Sequence, residues 1–215
     1  MDRSDMMHRM YDIKGPLVAK KFAARGFEAV YCPTKEEALK QAISYIPETD
    51  VVSWGGSVSI NEIGLRPYVL EHNPVIDRDS AKTPEERVEL MRKALLCDTF
   101  LMGANAAVQD GQLINIDGNG NRVSSTLYGH QKVYFLVGVN KVAPDFEAAL
   151  WRARNVAAPK RAQSMGCRTP CAAKADRCYD CKSPERICRG LAVLWARPNA
   201  TEEMEVVLIG EALGM

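Results

Sequence analysis

Two rhythms of apolar residues alternate along this chain. Short unbroken apolar runs, Glu28 to Tyr31, Asp50 to Ser53, Pro74 to Asp77, Thr99 to Met102 and Val133 to Val139, are separated by stretches in which apolar residues recur every three or four positions. Runs without polar alternation predict parallel strands buried on both faces, and the intervening stretches predict amphipathic helices. Thr34-Lys35-Glu36-Glu37 and Thr83-Pro84-Glu85-Glu86 mark two helix starts, each with a Thr to cap the first turn and a Glu three residues on. The first helix continues through Ala38, Leu39, Ala42, Ile43 and Ile46 to Pro47, the second through Val88, Met91 and Leu95. A further helix is predicted from Met6 to Ala24, broken or kinked at Gly15-Pro16, and another from Phe146 to Ala157. Gln112 to Ile116, the turn Asp117-Gly118-Asn119-Gly120 and Asn121 to Leu127 predict a β-hairpin, while Leu191 to Trp195 and Glu205 to Ile209 predict closing strands. The expected fold class is therefore α/β: a mostly parallel, Rossmann-like sheet flanked by helices, with an inserted hairpin.

At 215 residues and 47% hydrophobic, the chain can fill one substantial core. No apolar run approaches the roughly 20 residues of a membrane-spanning helix. Charged residues are scattered through the first fourteen positions, so no secretory leader is expected and the predicted location is cytoplasmic. Charge changes the picture near the C-terminus, where residues 152–197 hold eleven Lys/Arg and three Asp/Glu, leaving that stretch +8 and the remainder -7. An anionic partner is one explanation; a cluster of metal-bound thiolates is another. Nucleic acid is not expected, because Tyr179 and Trp195 alone supply aromatics there.

Candidate chemistry lies where predicted strands end. Val51 to Gly64 reads as strand, glycine turn and helix start, so Gly55, Gly56 and Ser57 are candidates to hold a phosphate or carboxylate. A tight turn explains the glycines equally well. Asn105, in Gly103-Ala104-Asn105, could orient a polar substrate, whereas Asp110-Gly111 is a site candidate that reads more simply as a turn. Asn121 and Arg122 follow a turn, and Arg122 would clamp an anion if it pointed inward. His8 and His72 lie in polar surroundings, and His130 follows the hairpin either over the same pocket or on a surface turn.

The combination of Gly55-Gly56-Ser57, Glu62-Ile63-Gly64, Gly103-Ala104-Asn105, Asp110-Gly111, Asn115 to Arg122 and Val137-Gly138-Val139-Asn140-Lys141 resembles the LUD (lactate utilisation, DUF162) family. The resemblance covers roughly Val51 to Ala157, and Asp117-Gly118-Asn119-Gly120-Asn121-Arg122 is its most specific part. It implies a relative of the ribose phosphate isomerase and CoA-transferase superfamily, and, for some members, oxidation of lactate to pyruvate beside iron–sulfur partner subunits. The transferases' glutamate nucleophile has no counterpart beside Gly103 or Gly111, so acyl-CoA transfer is not expected.

Residues 1–160 and 190–215 are expected to form the α/β domain, and residues 161–190 a cysteine-rich segment. There Cys167, Cys171, Cys178, Cys181 and Cys188 are spaced C-x3-C-x6-C-x2-C-x6-C. Reducing surroundings favour metal over disulfides, and four thiolates suit zinc or an iron–sulfur cluster equally; a redox pair or idle thiols are the simpler readings. A similar tail in a LUD subgroup supports a metal without naming it. Cys32 and Cys97 read as buried small hydrophobes. Two functions follow: a protein that takes a small anionic metabolite and passes electrons through an iron–sulfur centre, or a non-catalytic binding or assembly subunit with structural zinc. The expected protein partners are an iron–sulfur subunit and further copies of the chain.

Overall fold

The computed structural model describes residues 3–215, and the side chains of residues 3–5, 7 and 8, His8 included, lie outside that description. Six strands form one parallel sheet: β1 (Glu28–Cys32), β2 (Val52–Trp54), β3 (Val75–Ile76), β4 (Thr99–Met102), β7 (Lys132–Gly138) and β10 (Glu203–Ile209), in the order β1-β10-β7-β4-β2-β3. Each unbroken apolar run of the sequence supplies one of these strands. The last strand in the chain, β10, slots between β1 and β7 with its Met204 to Ile209 buried. Tyr134, Phe135 and Leu136 of β7 are fully buried, each contributing about 1.5–3 kcal/mol through burial.

Both faces of the sheet are covered. On one face α2 (Lys35–Tyr45), α3 (Val58–Glu62) and α4 (Leu65–His72) bury Ala38, Ala42, Ile60, Leu65 and Val69 against Val52, Leu101 and Leu136. On the other, α1 (Arg3–Ala23) buries Val18 and Phe22 with Phe100, Phe135 and Val206. Thr34 Oγ1 accepts from the Glu37 amide at 3.2 Å, and Thr83 Oγ1 from the Glu86 amide at 3.1 Å, so α2 and α5 (Pro84–Lys93) begin where their caps predict. The break expected at Gly15-Pro16 is absent, for α1 runs through it. The Tyr31 ring occupies the space a Gly15 side chain would need, so the pair is a packing contact with β1, and that packing offsets the hydrogen bond Pro16 forfeits.

The inserted hairpin exists, one element earlier than its predicted place. Its strands are β5 (Ala106–Val108) and β6 (Leu113–Asp117), turning at Gly111, whose φ of 88° suits glycine. Asn121–Leu127, predicted as the second hairpin strand, is helix α6. Asp117 explains the difference: its carboxylate accepts from the Gly118 amide at 2.8 Å and from the Arg122 amide at 2.7 Å, which closes the turn into a helix start. Ser124, Ser125 and Thr126 then bond back to carbonyls of the preceding turn. The hairpin belongs to a second sheet of order β8-β5-β6-β9, formed with β8 (Val142–Ala143) and β9 (Gly190–Leu194). The strand predicted from Leu191 thus closes this smaller sheet rather than the main one. Helix α7 (Phe146–Arg152) packs on the small sheet, runs through a π turn at Ala153–Ala157 into α8 (Ala158–Ser164), and leads to α9 (Pro170–Lys174).

No helix among the described residues is long and apolar enough to cross a membrane.

Candidate anion-binding cleft

Strands β2, β4 and β7 end side by side, and the segments that follow them open onto a cleft of about 430 Å³. Gly56 and Ser57 follow β2, Gly103 and Asn105 follow β4, and Lys141 follows β7; all line it. This is the edge at which parallel sheets present ligands. Asn121 and Arg122 of α6 close one side, and Arg78, in the turn after β3, closes another. Seven Lys/Arg side chains line the cleft, Arg78, Arg87, Arg122, Lys141, Arg161, Arg186 and Arg189, against the carboxylates Asp117 and Glu185. Both carboxylates are engaged already: Asp117 with the amides that start α6, and Glu185 with Arg168 at 2.7 Å.

Lys141 is the most deeply set of these cations, 4% exposed. Its ammonium donates to Ser59 Oγ at 2.8 Å, and no carboxylate lies within 4 Å among the described residues. Burial, and then the neighbouring Arg152, bring its pKa down from 10.5 to about 8, against the weaker attraction of Glu62. Arg122 is held down chiefly by burial, which Asp117 opposes. Its guanidinium donates to the Ile116 carbonyl and to Asn105 Oδ1, the latter at 3.4 Å. Asn105 therefore works as a brace, since its Oδ1 also accepts from the Ile116 amide at 2.9 Å. Ser57 Oγ is buried and has no hydrogen-bond partner. It does not cap α3, and at five residues α3 adds little of the helix-end attraction expected there.

Gly55, Gly56, Ser57, Asn105, Asn121 and Arg122 are thus gathered at one place, but Gly55 serves differently from its predicted role. A Cβ at Gly55 would come within 2.5 Å of Arg122 Cδ, so this glycine seats the arginine stem rather than the ligand. Asp110 does not belong. It sits at the tip of the β5–β6 turn, 57% exposed, in ion pairs with Arg25 and, at 3.6 Å, Lys21. The turn reading of Asp110-Gly111 holds because Gly111 leaves room for the Lys21 carbonyl. His130 is not in the cleft either: it is 2% exposed, stacked on Phe100 at 4.9 Å, with Nδ1 3.0 Å from the Cys97 carbonyl.

A family model for the LUD domain matches residues 16–209. The chain belongs to the LUD domain family. A crystal structure of a DUF162 family protein from Deinococcus radiodurans is similar, with a TM-score of 0.54 at 10% identity, covering 92% of this chain and 97% of that one. That likeness shows the fold alone. No curated protein matches the chain.

In this LUD domain the sequence reading missed Lys141, Arg78 and Arg161. Lys141 was within reach of the strand-end rule, since it follows β7 as Gly56 follows β2. Arg161 carries no local signal, because it arrives from α8 at the far end of the chain.

The cysteine-rich segment forms one wall of the same cleft through Pro184 to Ile187 and Arg189. Cys167, Cys171, Cys178, Cys181 and Cys188 are half-buried free thiols, while Cys32 and Cys97 are buried as expected. Around Cys178 the backbone folds as a knuckle, with the Asp180 amide 3.4 Å from Cys178 Sγ and Asp180 at a φ of 45°. Burial raises the Cys188 thiol, and the nearby Cys178 and Cys181 add to the effect. Among the described residues, however, no three His, Cys, Asp or Glu side chains are grouped to hold a metal ion.

Proposed function

We propose that this LUD-domain protein binds a small anionic metabolite in the cleft at the ends of β2, β4 and β7. The observation that carries the reading is a buried ammonium, Lys141, with no carboxylate beside it, at the floor of a cleft whose lining cations outnumber its acids. A buried cation is costly unless an opposite charge pairs with it; Glu62 attracts Lys141 from beyond pairing distance, and a ligand would supply the paired charge. The family's link to lactate utilisation makes lactate or a related 2-hydroxy acid the first ligand to try. In that reading Cys167, Cys171, Cys178, Cys181 and Cys188 would hold an iron–sulfur centre, which would supply one-electron transfer. The cleft and its buried cations support the binding part of this reading. Calorimetric titration of the full chain with lactate and other small carboxylates tests it. Saturable binding that Lys141→Met weakens at least tenfold is expected; binding unchanged in that variant would overturn the reading.

A second reading, a non-catalytic subunit with structural zinc, draws on the knuckle at Cys178, where an amide already points at sulfur. Protein purified without oxygen distinguishes them: brown protein with visible absorption supports electron transfer, and colourless protein with stoichiometric zinc supports the structural role. Pairing with an iron–sulfur subunit and self-association are separate proposals, to be tested by sedimentation of the full chain alone and with such a subunit.

A further inference from the structure

Two guanidiniums converge on Gly56. A Cβ built there would lie 3.0 Å from Arg78 Nη2 and 3.5 Å from Arg161 Nη2, so the missing side chain lets both guanidiniums close in on this point of the cleft lining. Neither arginine is satisfied by the protein. The Arg78 side chain is only 12% exposed, yet its Nε has no hydrogen-bond partner and its Nη1 reaches only Met91 Sδ, at 3.9 Å. Asp79, the carboxylate nearest to it at 3.9 Å, is already bound by Arg87 at 2.8 Å and Arg66 at 3.2 Å. Among the described residues Arg161 has no carboxylate within 4 Å. Next in the chain, the buried Ser57 hydroxyl also lacks a partner.

Resting on the reading of the cleft as an anion site, we propose that its ligand carries a phosphate group, seated over Gly56 between Arg78 and Arg161 with Ser57 as a third donor. A carboxylate can bridge two guanidiniums, as Asp79 does, but it brings one charge for two and has no oxygen left for the hydroxyl. A phosphate brings up to two charges and three terminal oxygens, enough for two guanidiniums and a hydroxyl at once. The Lys141 end of the cleft then receives the remainder of the molecule.

The test is calorimetric titration of the full chain with inorganic phosphate and, separately, acetate, at one ionic strength. Phosphate is expected to bind roughly tenfold or more tightly than acetate, since each charged hydrogen bond gained is worth about a factor of ten. Arg161→Gln, whose side chain is partly exposed, should weaken phosphate roughly tenfold, whereas Arg92→Gln, exposed and outside the cleft lining, should leave it unchanged. Gly56→Ala should weaken phosphate while removing no charge, a result that general attraction to a basic surface would not give. Phosphate that binds no more tightly than acetate, or that ignores Arg161→Gln and Gly56→Ala, overturns the phosphate seat; acetate binding that Lys141→Met abolishes would then leave the broader anion reading standing. If neither anion binds the wild-type chain, both fall together.

Discussion

Replacing Lys141 by Met should make this protein more stable at neutral pH, although it removes a hydrogen bond from the interior. Burial lowers the Lys141 pKa from 10.5 to about 8, so at pH 7 the folded state holds an ammonium that the unfolded chain would carry more cheaply. Every tenfold loss of proton affinity corresponds to about 1.4 kcal/mol, which puts the penalty at roughly 3 kcal/mol. The lost bond to Ser59 Oγ takes back about 1 kcal/mol, so a net gain of roughly 2 kcal/mol is expected at pH 7. Its pH dependence has a definite sign. Between pH 8 and 10.5 the unfolded chain binds more protons at this lysine than the folded one, so wild-type stability rises through that window and the penalty disappears. Met has no proton to lose, and the two proteins should converge. Urea denaturation of both at pH 7, 8, 9 and 10 reads the difference directly. A variant less stable than wild type at pH 7, or a difference that does not change up to pH 10, would refute the claim that this ammonium is buried without its counter-charge. The same logic predicts that anion binding at pH 8.5 takes up protons, measurable as a buffer-dependent binding enthalpy, because an arriving negative charge favours the protonated amine.

Other positions separate cleft from scaffold. Gly55→Ala should cost roughly tenfold in anion affinity, together with about 1–3 kcal/mol of stability from overpacking, because its Cβ would press on the Arg122 stem; binding and denaturation curves measure the two. Asp110→Asn should leave anion binding unchanged, since Asp110 pairs with Arg25 and Lys21 outside the cleft. Glu205, 4% exposed, has its pKa raised from 4.5 to about 7 by burial, then by Glu28 and Glu203. The folded state therefore loses stability as pH rises from 4.5 to 7, and Glu205→Gln should be more stable than wild type by roughly 2–3 kcal/mol at pH 8, with the gap closing near pH 4.5 in denaturation curves.

The main sheet was legible in the amino-acid order because burial on both faces leaves a local mark. A strand such as Val133 to Gly138 needs apolar residues at every position, and a helix such as α2 needs a cap at Thr34, whichever elements become its neighbours. Gly55 to Ser57 and Asn105 could be nominated because ligand sites of parallel sheets follow strand ends, a rule that needs only strand boundaries, and Arg122 because a guanidinium after a glycine turn can clamp an anion. Asn121 to Leu127 shows its limit: Asn, Gly and Ser serve hairpin turns and helix starts alike, and the Asp117 carboxylate, by accepting two amides, decided for the helix. What surrounds the cleft was decided by tertiary structure. Arg78, Lys141 and Arg161 lie far apart in the chain and share no periodicity, and they meet only because β3, β7 and α8 bring their ends to one edge. Electrostatic character of that kind belongs to distances across the fold, and no spacing along a chain encodes it.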